Sequence, residues 1–201
     1  MKVLGITGGT GGGKTTLLSQ VEARGGLVID CDAVYHRLLQ TDQDLLETLL
    51  QRFPEAFENG AFNRKKLGKL VFENEAALQD LNAISHGFVL AETDRHLNAA
   101  RRAGCALAAV DAIALFESGL DARCDYTVAV SAPLEQRVQR LMAREGISES
   151  YARLRIAAQK SDESFAKLAN CVLENDCASA EAFAALCDRF LDDFMGGKFD
   201  A

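Results

Sequence analysis

Apolar residues fall in two kinds of run along this chain. Short, β-branched or alanine-rich runs at 2–7, 27–29, 106–110, 126–130 and 171–173 read as buried strands. Between them the apolar period changes to three and four. Leu17, Leu18 and Val21 mark a helix over 15–23, stopped by Gly25-Gly26. Val34–Leu38–Leu39, Leu45–Leu49–Leu50 and Leu67–Leu70–Val71 make residues 33–103 mostly helical, with Pro54 and Asn59-Gly60 marking a loop. A long helix is expected over 75–103, with Gly104 as its C-cap. Pro133 should open another helix in its first turn, and 147–167 is polar and helical. In the last helix Phe183, Leu186, Cys187, Phe190, Leu191 and Phe194 form one stripe, expected to be core packing. The tail after Gly196-Gly197 is expected to fray. The strands alternate with helices, so they belong to one parallel sheet. Some seventy residues, 33–103, exceed a simple crossover between two of its strands and read as an inserted subdomain for a second substrate.

The first strand runs into Gly8-Gly9-Thr10-Gly11-Gly12-Gly13-Lys14-Thr15-Thr16, a G-x-x-x-x-G-K-T pattern followed by a helix. Glycines let the backbone curl until its N–H groups converge on an anion, and the helix N-terminus adds partial positive charge. In that pattern Lys14 reaches the β- and γ-phosphates of a nucleotide and the Thr15 hydroxyl ligates Mg²⁺. A plain strand-to-helix turn explains one or two glycines, not five with Gly-Lys-Thr at the fixed offset.

The chain has 201 residues, suiting one α/β domain with inserted subdomains, and 48% of them are hydrophobic, enough for a sizeable core. Its formal charge of −7 argues against a broad nucleic-acid or anionic-membrane surface. The six cysteines form no C-x-x-C pair, so ordinary reduced core thiols in a cytoplasmic protein are expected rather than zinc ligands. The N-terminal apolar run is too short for a signal peptide, and no run nears the ~18 residues of a membrane helix. A monomer is favoured.

Other chemistry sits near strand ends. The second strand delivers Asp30-Cys31-Asp32, two carboxylates where ligands of doubly wound sheets bind. Either could instead cap a helix starting near Ala33. Asp111, after the third strand, occupies the usual place of a Walker-B carboxylate. Arg137, Arg140 and Arg144 share one helix face, as solubilising charges or as a phosphate-clamping lid that 147–167 would complete. His86 reads as a hydrogen-bonded structural histidine or as a site residue.

Taken in order, these segments resemble the dephospho-coenzyme A kinase family from residue 3 to about residue 190. The stretch 7–16 is similar to T-G-G-I-G-S-G-K-S/T-T, and Asp30-Cys31-Asp32 with His36 to D-A-D-x-x-x-R/H. Asn63-Arg64 with Leu67, Val71 and Phe72 resembles N-R-x-x-L-x-x-x-V-F. Leu81-Asn82 with His86 resembles L-N-x-x-x-H-P, with Gly87 for the proline, and 111–119 resembles D-V-P-L-L-F-E-x-G, with Ile113 for the proline. Residues 140–144 and 156–159 look like R-x-x-x-R and R-I-x-x-Q, although Phe165 stands where a lysine is usual.

The resemblance implies an α/β fold, the P-loop NTPase three-layer sandwich: a five-stranded parallel sheet with a helical substrate-binding insertion and a lid. The expected parts are a core of 1–32, 104–136 and 168–201, an acceptor-binding insertion of 33–103 and a lid of 137–167. The implied reaction moves the γ-phosphoryl of ATP to the ribose 3′-hydroxyl of dephospho-coenzyme A. Asp32 would take the hydroxyl proton, while Lys14 and Arg140 act on the transferring group. Gly11, Gly12, Gly13, Lys14, Thr15, Thr16 and Arg144 would hold the nucleotide, and Thr15 and Asp111 the Mg²⁺. Arg64 and His86, with Asp32, would hold the acceptor. Kinases of nucleoside monophosphates or shikimate share the core and lid but not the motif series from Asp30 to Glu117. A guanine-nucleotide switch would need N-K-x-D, which is absent, and the only D-x-x-G, 193–196, lies in the last helix.

Overall fold

A computed structural model describes residues 1–199 of the chain. They form two compact units, one of residues 1–29 with the chain from Leu97 onward, the other of Asp30–His96.

The first unit carries the parallel sheet. Strand β1 (Lys2–Thr7) leads through the glycine stretch into helix α1 (Lys14–Ala23), and β2 (Leu27–Asp30) follows. After the second unit come β5 (Leu107–Asp111), β6 (Tyr126–Ser131), helices α6 (Leu134–Glu145), α7 (Glu149–Ala157) and α8 (Asp162–Leu168), strand β7 (Cys171–Glu174) and helix α9 (Ala180–Met195). The strand order is β2-β5-β1-β6-β7. Each of the five strands of the sheet falls on one of the predicted apolar blocks, with ends within a residue of it. Strand β1 pairs in parallel with β5 (Ile6 opposite Asp111) and with β6 (Thr7 opposite Ala129). This register brings the ends of the three central strands to one edge of the sheet.

Alternation along these strands decides what covers each face. Leu4 and Ile6, Leu107 and Ala109, and Val128 and Val130 point to one side, where Leu17 and Val21 of α1 and Phe183, Cys187, Phe190, Leu191 and Phe194 of α9 close over them. The aromatic stripe of α9 is therefore core packing. Each fully buried Leu or Phe there contributes about 1.5–3 kcal/mol of transfer free energy. Burial also pushes the Cys187 thiol pKa up to about 12, so it stays protonated at neutral pH. Cys105, Cys171, Cys177 and Cys187 are free thiols.

The second unit is built from α2 (Cys31–Thr41), α3 (Gln43–Arg52), strands β3 (Phe57–Glu58) and β4 (Ala61–Phe62), α4 (Arg64–Phe72) and the first part of α5 (Glu75–Arg102). Side-chain caps fix where its helices begin: Asp42 accepts from Leu45 N, Asn63 from Lys65 N and Lys66 N, and Asn74 from Ala77 N. Val34, Leu38, Leu45, Leu49, Phe53 and Leu67 fill its interior.

Several boundaries differ from expectation. Helix α2 starts at Cys31, not near Ala33, because the Asp30 carboxylate accepts from Ala33 N and so caps the helix itself. Pro133 lies one place outside α6, as its N-cap residue. Strand β5 starts at Leu107 rather than 106. Asn59-Gly60 is the turn of a small hairpin, both residues at positive φ (50° and 80°), with the Phe57 and Phe62 rings 5.4 Å apart across it. Residues 147–167 hold two helices broken at 158–161, where Ser161 caps α8 by accepting from Ser164 N. The expected fraying is corrected at Lys198 and Phe199. The Phe199 ring stacks on Tyr126 at 4.6 Å, and Lys198 Nζ donates to Asp193 at 2.6 Å. Asp200 and Ala201 lie outside the described residues. Among the described residues, no helix is long and apolar enough to cross a membrane.

Candidate active site

Residues 8–13 join β1 to α1 in a glycine-rich loop that closes around a cavity of about 230 Å³. At two positions the loop has little freedom to be anything but glycine. Gly8 has φ +127° and a side chain there would strike the Val130 carbonyl. Gly13 has φ +113° and faces the Asn175 amide and the Phe183 ring. Gly11, Gly12, Gly13, Lys14 and Thr15 line the cavity together with Asp111, Arg140 and Arg144. The sheet register explains Asp111, the last residue of β5, which stands opposite Ile6 at the end of β1. The three-and-four spacing of α6 explains Arg140 and Arg144, one turn apart.

Three cations, the first turn of α1 and the glycine loop thus line one small space. Its chemistry is that of an anion site. Lys14 Nζ donates to Gly8 O at 2.8 Å, and Arg140 Nη1 donates to Gly11 O at 3.1 Å. Phosphate oxygens are the natural replacements for those carbonyls. Thr15 and Asp111 contribute hard oxygen donors to the same wall, a set suited to Mg²⁺.

Thr16 does not line this cavity. It lines a neighbouring groove of about 500 Å³ with Gln136, Gln139, Asn175, Cys177 and Phe183. The groove shares Gly13 and Arg140 with the phosphate-sized cavity, so the two spaces adjoin.

The remaining expected site residues belong to the second unit. Asp32 is exposed in the first turn of α2, next to the capping Asp30. Arg64, the first residue of α4, is exposed. Its positive charge acts on the Tyr35 hydroxyl, one turn along α2 from Asp32, though burial dominates and leaves that phenol above its ordinary pKa. His86 is half-buried in α5, and burial holds its imidazole below the usual pKa.

Three residues that sequence reasoning left without a role, or gave another, support the loop. Asn175 is 5% exposed, and its Nδ2 donates to Gly12 O at 3.1 Å while its backbone N–H donates to Ser131 O. Its position just past β7 was the available signal. Gln159 Oε1 accepts from Thr10 N at 2.7 Å. Arg137, grouped with Arg140 and Arg144 by spacing, is instead 5% exposed, with its Nε on Thr10 O at 2.9 Å and its Nη1 on Asp162. Its type and spacing resemble those of its neighbours; its burial depends on α8, which spacing does not report.

A glycine-rich loop between a central parallel strand and a helix, opening on lysine, threonine, aspartate and two arginines, defines a nucleotide-binding P-loop kinase. Comparison with known proteins narrows the class. The family model for dephospho-CoA kinase matches residues 2–181. A dephospho-CoA kinase from Corynebacterium efficiens is 34% identical over 194 residues, 96% of each chain. A solved structure from Thermus thermophilus superposes with a TM-score of 0.77 at 34% identity, covering 95% of this chain and 97% of that one. The dephospho-CoA kinase structure from Campylobacter jejuni, 22% identical with a TM-score of 0.68 over 98% of this chain and all of its own (100%), shows the same fold. The chain belongs to the dephospho-CoA kinase family and is a phosphate-transferring enzyme.

Proposed function

We propose that this enzyme moves the γ-phosphoryl group of ATP to the ribose 3′-hydroxyl of dephospho-coenzyme A, giving coenzyme A and ADP. The observation that carries this is the convergence of Lys14, Thr15, Asp111, Arg140 and Arg144 on one cavity, in a chain matched by the family model over 2–181. The loop amides and α1 hold the β- and γ-phosphates, with Lys14 and the two arginines drawing off charge as it spreads over the transferring group. The adenine base takes the adjoining groove beside Thr16 and Asn175. Mg²⁺, held through Thr15 and Asp111, neutralises phosphate charge when bound. In the transfer, the bond from the γ-phosphorus to its bridging oxygen breaks and one to the acceptor oxygen forms.

Asp32 is proposed as the base that receives the hydroxyl proton, on the family resemblance and on its exposed carboxylate. Arg64 and His86 are proposed to hold the acceptor's phosphates. With burial disfavouring its charge, His86 serves there as a neutral hydrogen-bond donor. Residues 33–103 are proposed as the acceptor-binding insertion and 137–167 as a lid that excludes water; 1–32, 104–136 and 168–201 make the nucleotide core. A monomeric, cytoplasmic enzyme acting on soluble metabolites fits this reading.

The test is incubation with ATP, Mg²⁺ and, separately, dephospho-coenzyme A, AMP and shikimate, with products read by mass. Phosphorylation of dephospho-coenzyme A alone is expected. Preference for AMP or shikimate would overturn the acceptor assignment.

A further inference from the structure

The tip of the phosphate loop is held from behind. Thr10 is the one non-glycine residue of 8–13. Both polar groups of its backbone are taken by side chains far along the chain: its N–H donates to Gln159 Oε1 at 2.7 Å, and its carbonyl accepts from Arg137 Nε at 2.9 Å. Arg137 is itself fixed, with Nη1 donating to both Asp162 oxygens at 2.9 and 3.1 Å. Its Nη2 is buried without a hydrogen-bond partner among the described residues and lies where a Gly9 side chain would stand. Gly11 rests on the backbone of the same residue, so that a side chain there would meet Arg137 O and Cα.

A guanidinium with 5% of its residue exposed, leaving one nitrogen unsatisfied, is costly to place. A solubilising charge needs no such position, and Arg137 does not line the phosphate cavity as Arg140 and Arg144 do. What its geometry does accomplish is to fix the plane of the Thr10–Gly11 peptide, whose carbonyl it holds. The direction of the amides that follow, from Gly11 onward, depends on that plane. Asp162 sets the guanidinium, and Gln159 holds the preceding peptide, Gly9–Thr10, through its N–H.

We infer that Arg137 is a positioning residue for nucleotide binding: with Gln159 and Asp162 it holds the phosphate loop in its anion-binding shape before the nucleotide arrives. It acts through the loop and touches no phosphate. This rests on the reading that the loop holds ATP phosphates.

The experiment compares Arg137→Ala, Arg137→Lys and Gln159→Leu with the unaltered enzyme, measuring ADP affinity by calorimetry and the KM for each substrate. Arg137→Ala should weaken ADP and raise the KM for ATP by roughly 10- to 100-fold, the loss of a charged hydrogen bond, with the KM for dephospho-coenzyme A unchanged. Millimolar guanidinium should restore part of that loss. Arg137→Lys, which keeps the charge but cannot reach Thr10 and Asp162 together, should fall between. Gln159→Leu, at a half-buried position, should show the same selective rise, and it decides the matter if Arg137→Ala does not fold. Folded variants with unaltered ADP affinity, or equal rises in both KM values without guanidinium rescue, would overturn the inference. Lys14→Ala separates the two levels: if it binds ADP normally, the loop reading itself fails; if it loses ADP while the Arg137 and Gln159 variants do not, only the positioning role fails.

Discussion

Replacing Gly13 by alanine tests the loop where it enters α1. Gly13 sits at φ +113°, ψ 14°, immediately before α1. Holding a non-glycine residue in such a conformation costs about 1–3 kcal/mol. The new methyl would also run into the Asn175 amide, whose Nδ2 donates to Gly12 O, and approach the Phe183 ring. Asn175 is buried and its backbone N–H is tied to Ser131 O, so it has little room to retreat. Losing the Asn175–Gly12 hydrogen bond adds about 1 kcal/mol. The sum is roughly 2–4 kcal/mol, equivalent to a fall in Tm of about 4–16 °C for a chain of this size. Calorimetric unfolding without nucleotide reads that fall. ADP titration of the folded variant should show an additional loss of affinity, because the moved peptide belongs to the cavity wall. Gly13→Ala with unaltered Tm and unaltered ADP affinity would refute the reasoning.

Other perturbations reach different parts of the molecule. Asp32→Asn should leave ADP affinity nearly intact and cut turnover by ~10²-fold or more, the contribution of a general base, as read by steady-state kinetics; equal turnover removes Asp32 from that role. Phe194→Ala opens the core between α9 and the sheet and should lower stability by about 3–5 kcal/mol in denaturant unfolding without altering the KM for either substrate. Burial lowers the His86 pKa, so as pH falls the unfolded chain takes up this proton before the folded one does. The His86 contribution to stability should therefore be full above about pH 6.5 and decline below it, and His86→Gln should remove that part of the acid sensitivity in Tm-against-pH profiles.

How far the chain could be read before its structure depended on the range of each signal. The glycine loop, the Asp30 cap and the Gly104 stop act within a few residues of themselves, and their types stand plainly in the sequence. Strand β5 carrying Asp111 was equally legible, because an apolar run ending in a carboxylate needs no distant partner to be recognised. The hairpin at Asn59-Gly60 was missed although Asn-Gly is a strong turn signal. Its two strands are two residues each, too short to show a period among flanking helices. The support of the loop was out of reach for another reason. Arg137 and Gln159 meet Thr10 across 127 and 149 residues of chain, and Asn175 meets Gly12 across 163. An arginine at helical spacing looks the same whether it faces solvent, a phosphate or the back of a loop. Only the packing of α6 and α8 distinguishes them. The same limit applied to the tail, where Phe199 finds Tyr126 from seventy-three positions away.

Phosphorus NMR of the completed reaction tests the central claim most directly, because it reports both the acceptor and the atom phosphorylated. With ATP, Mg²⁺ and dephospho-coenzyme A, the account predicts loss of the γ-phosphate signal and growth of one monoester signal coupled to the ribose H3′ proton, absent with Lys14→Ala. A monoester coupled to H2′ or to any other position, or release of inorganic phosphate alone, would contradict it.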